Sequence, residues 1–340
     1  MPDSHQQPRS DAPTLHAAAC GKVILLGEHA VVYGVPALCG ALQGGVEVEA
    51  SAGRGALQVR EWNLVTQTAA DLLQVPDSDV AGIQPALAVA YRAILRSVLA
   101  ASGRSDTTVP WDFSARFAIP TGAGLGSSAA LSVALIRAID KALQLHLTSA
   151  AVDAAAFLAE QVFHGSPSGL DHTVAQQGGF GLYRRGQGLT PIVGTPSLRL
   201  IIGHTGRARD TKGRVGRVAE LFRQDPVTIQ ACFDRIAQLV DRAVAALRQN
   251  DLSALGAAMN QNQRELAQLE VSCPEIESMC QLGLEAGAMG VKLTGGGGGG
   301  CVVALAPGRE EQVRSAWLAN GYQSFPVEIG PAVAATMNGQ

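Results

Sequence analysis

Apolar and polar positions alternate with a two-residue period early in the chain, shift to helical spacing in the middle, and return to strand-like runs at the end. Residues 22–26 (KVILL) form a short apolar run suited to a buried strand, stopped by Gly27. Residues 46–50 (VEVEA) and 56–60 (ALQVR) are two further strand candidates. The glycine-containing stretch SAGRG separates them, and the three pieces together read as a hairpin. A helix is expected over 84–101 and a polar linker over 101–110. Phe113, Ala115, Phe117 and Ile119 then alternate with Ser114, Arg116 and Ala118, the signature of a half-buried strand. Pro120 stops it. After TGAGLGSS comes AALSVALIRAIDKAL, a helix by composition, and 151–163 predicts another.

The glycine- and proline-rich stretch 165–181 predicts a loop, at least in part. A strand is expected over 198–203. From 211 to 284 the pattern is mostly helical, with breaks near Pro226, Asn250 and Pro274. Two short apolar runs, 291–294 and 302–306, flank six consecutive glycines, Gly295 to Gly300. A helix over 309–319 and a strand over 323–329 follow. The class is α+β, divided into 1–14 as a loose tail, 15–190 as an amino-terminal domain and 191–340 as a carboxy-terminal domain.

Composition narrows the function classes. The 340 residues are 47% apolar and 16% charged, which suits well-buried cores and argues against disorder. A net charge of −3 lacks the basic footprint of a nucleic-acid binder. No apolar run reaches the ~20 residues of a membrane span. The first 14 residues are polar, without the apolar stretch of a signal peptide. Cys20, Cys39, Cys232, Cys273, Cys280 and Cys301 contain no CxxC pair and read as free thiols in a reducing, cytoplasmic setting.

The strongest local signal is Pro120-Thr-Gly-Ala-Gly-Leu-Gly-Ser-Ser, set between a strand and a helix. Gly122, Gly124 and Gly126 let backbone amides approach a ligand, and the helix start favours an anion. Either Ser127 or Ser128 is long enough to reach a phosphate-bound Mg²⁺. No lysine precedes the serines, so this is not a Walker loop, and the glycine spacing is not the dinucleotide fingerprint. An ordinary strand–helix turn with a serine cap fits the same letters. The polyglycine run is longer than a hairpin turn needs. Close packing against a ligand or against the first glycine loop accounts for it, and so does a floppy surface loop. Lys292 and Thr294 lead into it.

Among charged residues, Lys22, Glu28 and His29 bracket the first strand and its turn. Lys22 suits phosphate charge or an acceptor hydroxyl; a solvated Lys–Glu pair is the plain alternative. His29 reads as structural rather than as a base. Glu160, on an Ala-rich helix, is either a Mg²⁺ ligand or a surface glutamate. Asp171 ends HGSPSGLD, a rigid turn, and is either a general base or a cap.

Taken in order, these motifs resemble those of the GHMP kinases. The stretch from Cys20 to Leu38, CGKVILLGEHAVVYGVPAL, is similar to the amino-terminal motif of the mevalonate kinase branch; EQVFHGSPSGLD and KLTGGGGGGC resemble two further motifs. The resemblance runs from residue 20 to about 301 and implies an enzyme using ATP and Mg²⁺. It implies an amino-terminal domain like ribosomal protein S5 domain 2, with a left-handed βαβ unit, and a ferredoxin-like carboxy-terminal domain. Carried over, Asp171 is the base and Lys22 the active-site lysine, while Ser128 and Glu160 hold the metal. Pro120, Gly122, Ala123, Gly124, Leu125, Gly126, Ser127, Ser128, Gly296 and Gly297 contact ATP. Glu28, His29 and Thr205 face the acceptor, implied to be (R)-mevalonate phosphorylated at its C5 hydroxyl. A homodimer is implied too, and neither nucleic acid nor membrane is an expected partner.

Two positions depart from the pattern: His172 stands where many relatives carry Asn, with a reshaped acceptor pocket as the expectation, and Gly296 where Ala is common. Arg207, Arg209 and Lys212 form a cationic group facing a carboxylate, the ATP phosphates, or solvent. Rival readings are a phosphomevalonate kinase or another small-alcohol kinase of the same fold, and a catalytically silent nucleotide binder.

Overall fold

Strand β1 (Leu15–Leu26) runs well past the apolar stretch that marks it. The structure, a computed structural model, describes residues 14–83, 85–104, 106–165 and 167–330. Except for Thr14, the tail expected over 1–14 lies outside the described residues. From Leu15 to Ala19, β1 alternates between buried and more open positions, whereas Gly21 to Leu26 are all buried. Only the second half reads as a continuous apolar run. β2 (Ala37–Ala52) pairs antiparallel with β1, from Leu15 opposite Ala50 to Leu26 opposite Leu38.

The hairpin expected between 46–50 and 56–60 does not form. The short strands β3 (Leu57–Val59) and β4 (Leu64–Val65) are followed by helices α1 (Ala69–Gln74) and α2 (Ala86–Ala101) and by β5 (Trp111–Phe117). β5 lies between β2 and β3: Val46 is opposite Phe117, and β3 pairs with β5 in parallel, Leu57 opposite Phe113. β2 thereby gains a ladder running from Val46 to Ala52, where β3 offers only three residues. Asp112 secures the arrangement, its Oδ1 accepting the Arg54 and Ala56 N–H groups at 2.8 Å each.

Helix α3 (Ser127–Leu143) buries most of its surface from Ala129 to Ile139 against β1, β2, α4 (Ser149–His164) and α2. The loop expected over 165–181 contains an eight-residue helix, α5 (Leu170–Gln177), and the start of β6 (Phe180–Arg184). Gly169, at φ 89°, turns the chain into α5, and Leu170, Val174 and Ala175 supply its buried side. β6 forms a hairpin with β7 (Gly188–Ile192), so residue 190, the expected domain boundary, lies within a strand.

Beyond it come β8 (Leu198–His204), α6 (Thr211–Gln224), α7 (Pro226–Gln249), α8 (Leu252–Gln268), α9 (Pro274–Glu285), β9 (Gly290–Thr294), β10 (Cys301–Leu305), α10 (Glu310–Ala319) and β11 (Gln323–Ile329). The expected helix breaks have local causes. Asp225 caps α7 ahead of Pro226, Asn250 ends it in the left-handed region, and Pro274 opens α9. The strands run β11-β8-β10-β9, all antiparallel, which with the intervening helices is the ferredoxin-like βαββαβ order. Among the described residues one sheet continues through both halves, with Ile329 opposite Leu42 as the single paired position between β11 and β2. A core of β1, β2, β8 and β10 side chains under α7 and α8 spans the same junction.

Candidate active site

Three glycines shape the loop from β5 to α3. Gly122, Gly124 and Gly126 all have φ between 73° and 87°. At Gly126 the need is double, because a Cβ there would lie 3.2 Å from the Lys22 Cβ. The Lys22 amide donates to the Leu125 carbonyl at 2.7 Å, tying β1 to the loop. No side chain caps the start of α3, so its first N–H groups remain free to bind an anion.

Lys22 is only 5% exposed. Its Nζ reaches Asp171 Oδ1 at 3.1 Å and donates to the Gly124 carbonyl at 3.4 Å. Asp171 occupies the first turn of α5. The sequence places these two residues 149 positions apart, and the fold joins them beside the glycine loop.

Glu160 approaches from α4 and is 1% exposed. Burial, followed by the charge of Asp171, pushes its carboxyl up to about 7; the Ser128 hydroxyl and Lys22 pull the other way. Oε1 of Glu160 has no hydrogen-bond partner among the described residues. A buried carboxylate oxygen without a donor, close to a serine hydroxyl and the helix start, fits a hard divalent cation completed by phosphate oxygens. Among the described residues no three His, Cys, Asp or Glu side chains gather as a self-sufficient metal site. His164, four residues on in α4, places its Nε2 3.0 Å from Ser128 Oγ and 3.7 Å from Glu160 Oε2. Burial holds its pKa below the ordinary histidine value.

Other expected site residues make defined contacts within the protein. Glu28 is buried, with one carboxylate oxygen paired to the Lys292 ammonium and the other accepting from Asn262 Nδ2 at 3.2 Å. Both oxygens are thus engaged by partners within the protein interior. His29 Nε2 meets the Gly296 carbonyl at 2.9 Å. Thr205 Oγ1 donates to the Gly300 carbonyl at 3.0 Å, and its hydroxyl oxygen lies 3.3 Å from the Arg207 amide. These two brace the polyglycine run. His172 faces Asp153 Oδ1 at 3.3 Å and Phe157, both on α4. It is buried in that packing and links α5 to α4.

The polyglycine run packs on Val271, between α8 and α9, and on the segment after β8 rather than on the first glycine loop. The Gly298 N–H donates to Val271 O at 2.8 Å and the Gly300 N–H to Arg207 O at 2.9 Å. At Gly297, φ 71°, a Cβ would stand 2.1 Å from Val271 O. Gly300 comes nearest to the first loop, its Cβ position 4.0 Å from Ala123 O. Of the three cations after β8, Arg209 reaches the site: its Nη1 lies 3.0 Å from where a Gly124 Cβ would be. Arg207 instead pairs with half-buried Glu275 at 3.5 Å.

The family follows from comparison with known proteins. Residues 88–179 match the GHMP kinases N terminal domain, and residues 243–323 match GHMP kinases C terminal. Mevalonate kinase of Pyrococcus horikoshii is 33% identical over 317 residues, covering 88% of this chain and 91% of that one. The chain belongs to the GHMP kinase family, in its mevalonate kinase branch. Mevalonate kinase of Aeropyrum pernix is 35% identical over 318 residues, covering 92% of this chain and 95% of its own length. Among solved structures, L. major mevalonate kinase in complex with R-mevalonate aligns with a TM-score of 0.78 at 30% identity, covering 96% of this chain and 98% of that one. Methanococcus jannaschii mevalonate kinase shares the fold, with a TM-score of 0.80 at 21% identity over 95% of this chain and 99% of that one. As a GHMP kinase the protein uses ATP and acts on a small-molecule substrate. No helix among the described residues is long and apolar enough to cross a membrane.

Sequence reading did not single out His164, Asn262 or the Glu28–Lys292 pair. The Glu160–His164 spacing of four within one helix was the signal available for the first, since it puts both on one face. Asn262 carries no such local mark, and Lys292 is marked only as the residue leading into the polyglycine run, because the partner of both is more than two hundred residues away.

Proposed function

We propose that the protein transfers the γ-phosphoryl group of ATP to the C5 hydroxyl of (R)-mevalonate, giving 5-phosphomevalonate and ADP in isoprenoid precursor synthesis. The observation that carries the chemistry is the Lys22–Asp171 contact of 3.1 Å at the mouth of the glycine loop. The acceptor is argued from the mevalonate kinase relatives and the 30%-identical structure with R-mevalonate.

The free N–H groups of 122–128 and the start of α3 bind the nucleotide phosphates. Ser128 and Glu160 would hold Mg²⁺, which would supply neutralisation of phosphate charge. Asp171 takes the proton of the acceptor hydroxyl as its oxygen bonds to the γ-phosphorus, and the bond from that phosphorus to the β,γ-bridging oxygen breaks to release ADP. Lys22 holds Asp171 in place and stabilises the charge on the transferring group. Arg209 adds positive charge on the far side of Gly124. Glu28, His29 and Thr205 act from behind, by holding the first-strand turn and the polyglycine run in position. The division at about residue 190 into two domains is part of this reading, with the reacting groups Lys22, Glu160 and Asp171 all in the first. Six free cysteine thiols support a reducing, cytoplasmic setting. A homodimer is implied by the family and is read out by light scattering.

The test is ADP release with Mg²⁺ over a panel of mevalonate, phosphomevalonate, homoserine and galactose, with the product position read by NMR. Turnover on mevalonate giving the 5-phosphate is expected. Asp171→Asn should lower kcat by about 10²–10⁴-fold with ATP binding retained. Turnover on phosphomevalonate instead would transfer the reading to that kinase, and ATP binding without turnover on any acceptor would favour a silent nucleotide binder.

A further inference from the structure

The Ser128 hydroxyl carries one proton and has two claimants for it, the Glu160 carboxylate and the His164 ring. The choice decides what a cation meets. If the proton goes to Glu160, one carboxylate oxygen is occupied and the serine and glutamate are hydrogen-bonded to each other. If it goes to His164, the serine lone pairs and both Glu160 oxygens are left for the metal. The geometry favours the second: Nε2 stands within hydrogen-bond distance of Ser128 Oγ, at 3.0 Å, and 3.7 Å from Glu160 Oε2, while Glu160 Oε1 is buried without any hydrogen-bond partner among the described residues.

We propose that His164 is a positioning residue for the metal corner: its Nε2 accepts the Ser128 hydroxyl proton and so turns Ser128 and Glu160 together into cation ligands. The proposal rests on the kinase reading and on the assignment of Ser128 and Glu160 to Mg²⁺. The architecture serves this role. Glu160 and His164 project from one face of α4, and α4 packs directly on α3, which carries Ser128. The histidine ends its helix and its side chain is 41% exposed, and with Nε2 accepting, the other ring nitrogen carries the proton. Hydrogen-bond partners that orient a ligating group in this way govern metal affinity without touching the metal.

The plain alternative is that His164 serves only as a favourable residue at the C-terminus of α4. Three substitutions separate the two. In His164→Gln the amide oxygen reaches the position of Nε2 and accepts a hydrogen bond. In His164→Lys the side chain only donates. In His164→Ala it is removed. The measurement is the dissociation constant of ADP by calorimetry, with Mg²⁺ and with EDTA, on each purified protein, with melting temperatures recorded alongside. The wild-type protein should bind ADP more tightly with Mg²⁺. His164→Ala and His164→Lys should weaken the Mg²⁺-dependent part by about 10–100-fold with affinity in EDTA unchanged, and His164→Gln should retain most of it. In turnover the same two variants should raise KM for MgATP more than they lower kcat. Equal Mg²⁺ gains in all four proteins would overturn the proposal and leave His164 as a helix-end residue, whatever the melting temperatures do. No Mg²⁺ gain in the wild-type protein would bring down the metal assignment itself, and the role of His164 with it.

Discussion

Glu160 shows the conflict between stability and function within one side chain. Its carboxyl is pushed from an ordinary 4.5 up to about 7, chiefly by burial. The folded protein therefore keeps a proton that the unfolded chain releases between those two pH values. Stability falls as pH rises through that window, and above about pH 7 the full penalty, about 3 kcal/mol, is present. Glu160→Gln removes the charge at nearly the same size. In metal-free buffer its urea midpoint should exceed that of the parent at pH 8, with the difference vanishing below pH 4.5. A variant less stable than the parent at pH 8 would mean that the carboxylate has a partner the structure does not show. Kinase activity should be lost with the same substitution, because an amide is a poor replacement for a carboxylate at a hard cation. The nearby cysteines behave as inert fillers: Cys39 and Cys20 have thiol pKa values pushed up by burial, so neither is a reactive thiolate.

Strand order, not strand identity, is the lesson at the scale of elements. VEVEA, ALQVR and the alternating 113–119 segment each contribute to a strand, yet their pairing departs from the nearest-neighbour hairpin. β5 wins the place beside β2 because it brings a longer ladder and an aspartate that fastens the intervening turn. Asp112→Ala should therefore destabilise the protein by about 1–3 kcal/mol, the range for leaving two backbone N–H groups without their charged acceptor. Chemical denaturation checks the loss, and KM and kcat on the native protein should stay at parent values, since Asp112 lies at the far end of β5 from the glycine loop. α5 teaches a related point. Its eight residues sit among glycines that look like loop, but Gly169 enters the left-handed region just before the helix, so Asp171 is presented from a helical first turn. His172, on the next position, points back to Asp153 and fixes the orientation of that turn.

At the scale of the whole molecule, the first-strand turn and the polyglycine run are clasped by groups far apart in sequence. Lys292 pairs with Glu28, Thr294 Oγ1 accepts from the Ile24 amide at 3.1 Å and donates to its carbonyl at 3.0 Å, and His29 meets Gly296. Breaking the buried pair with Lys292→Met leaves a carboxylate uncompensated and should cost about 3–5 kcal/mol. Because a shared core and sheet join the halves, they should unfold together. Trp317 reports on the second half, and Trp62 and Trp111 on the first. Variants keeping either set should show coincident fluorescence transitions, both shifted equally by Lys292→Met; separate transitions would contradict a single cooperative unit. The sequence by itself determined the glycine loop, most of the helices with their breaks, and the candidates Lys22, Ser128, Glu160 and Asp171. Those signals are local: side-chain periodicity, caps, and glycines at turns. Tertiary structure alone decided that β5 separates β2 from β3, that Glu28 points inward to Lys292, that His172 meets Asp153, and that His164 meets Ser128. Each of those outcomes depends on which distant partner a side chain or strand edge finds, and the spacing of residues along a chain carries no record of that choice.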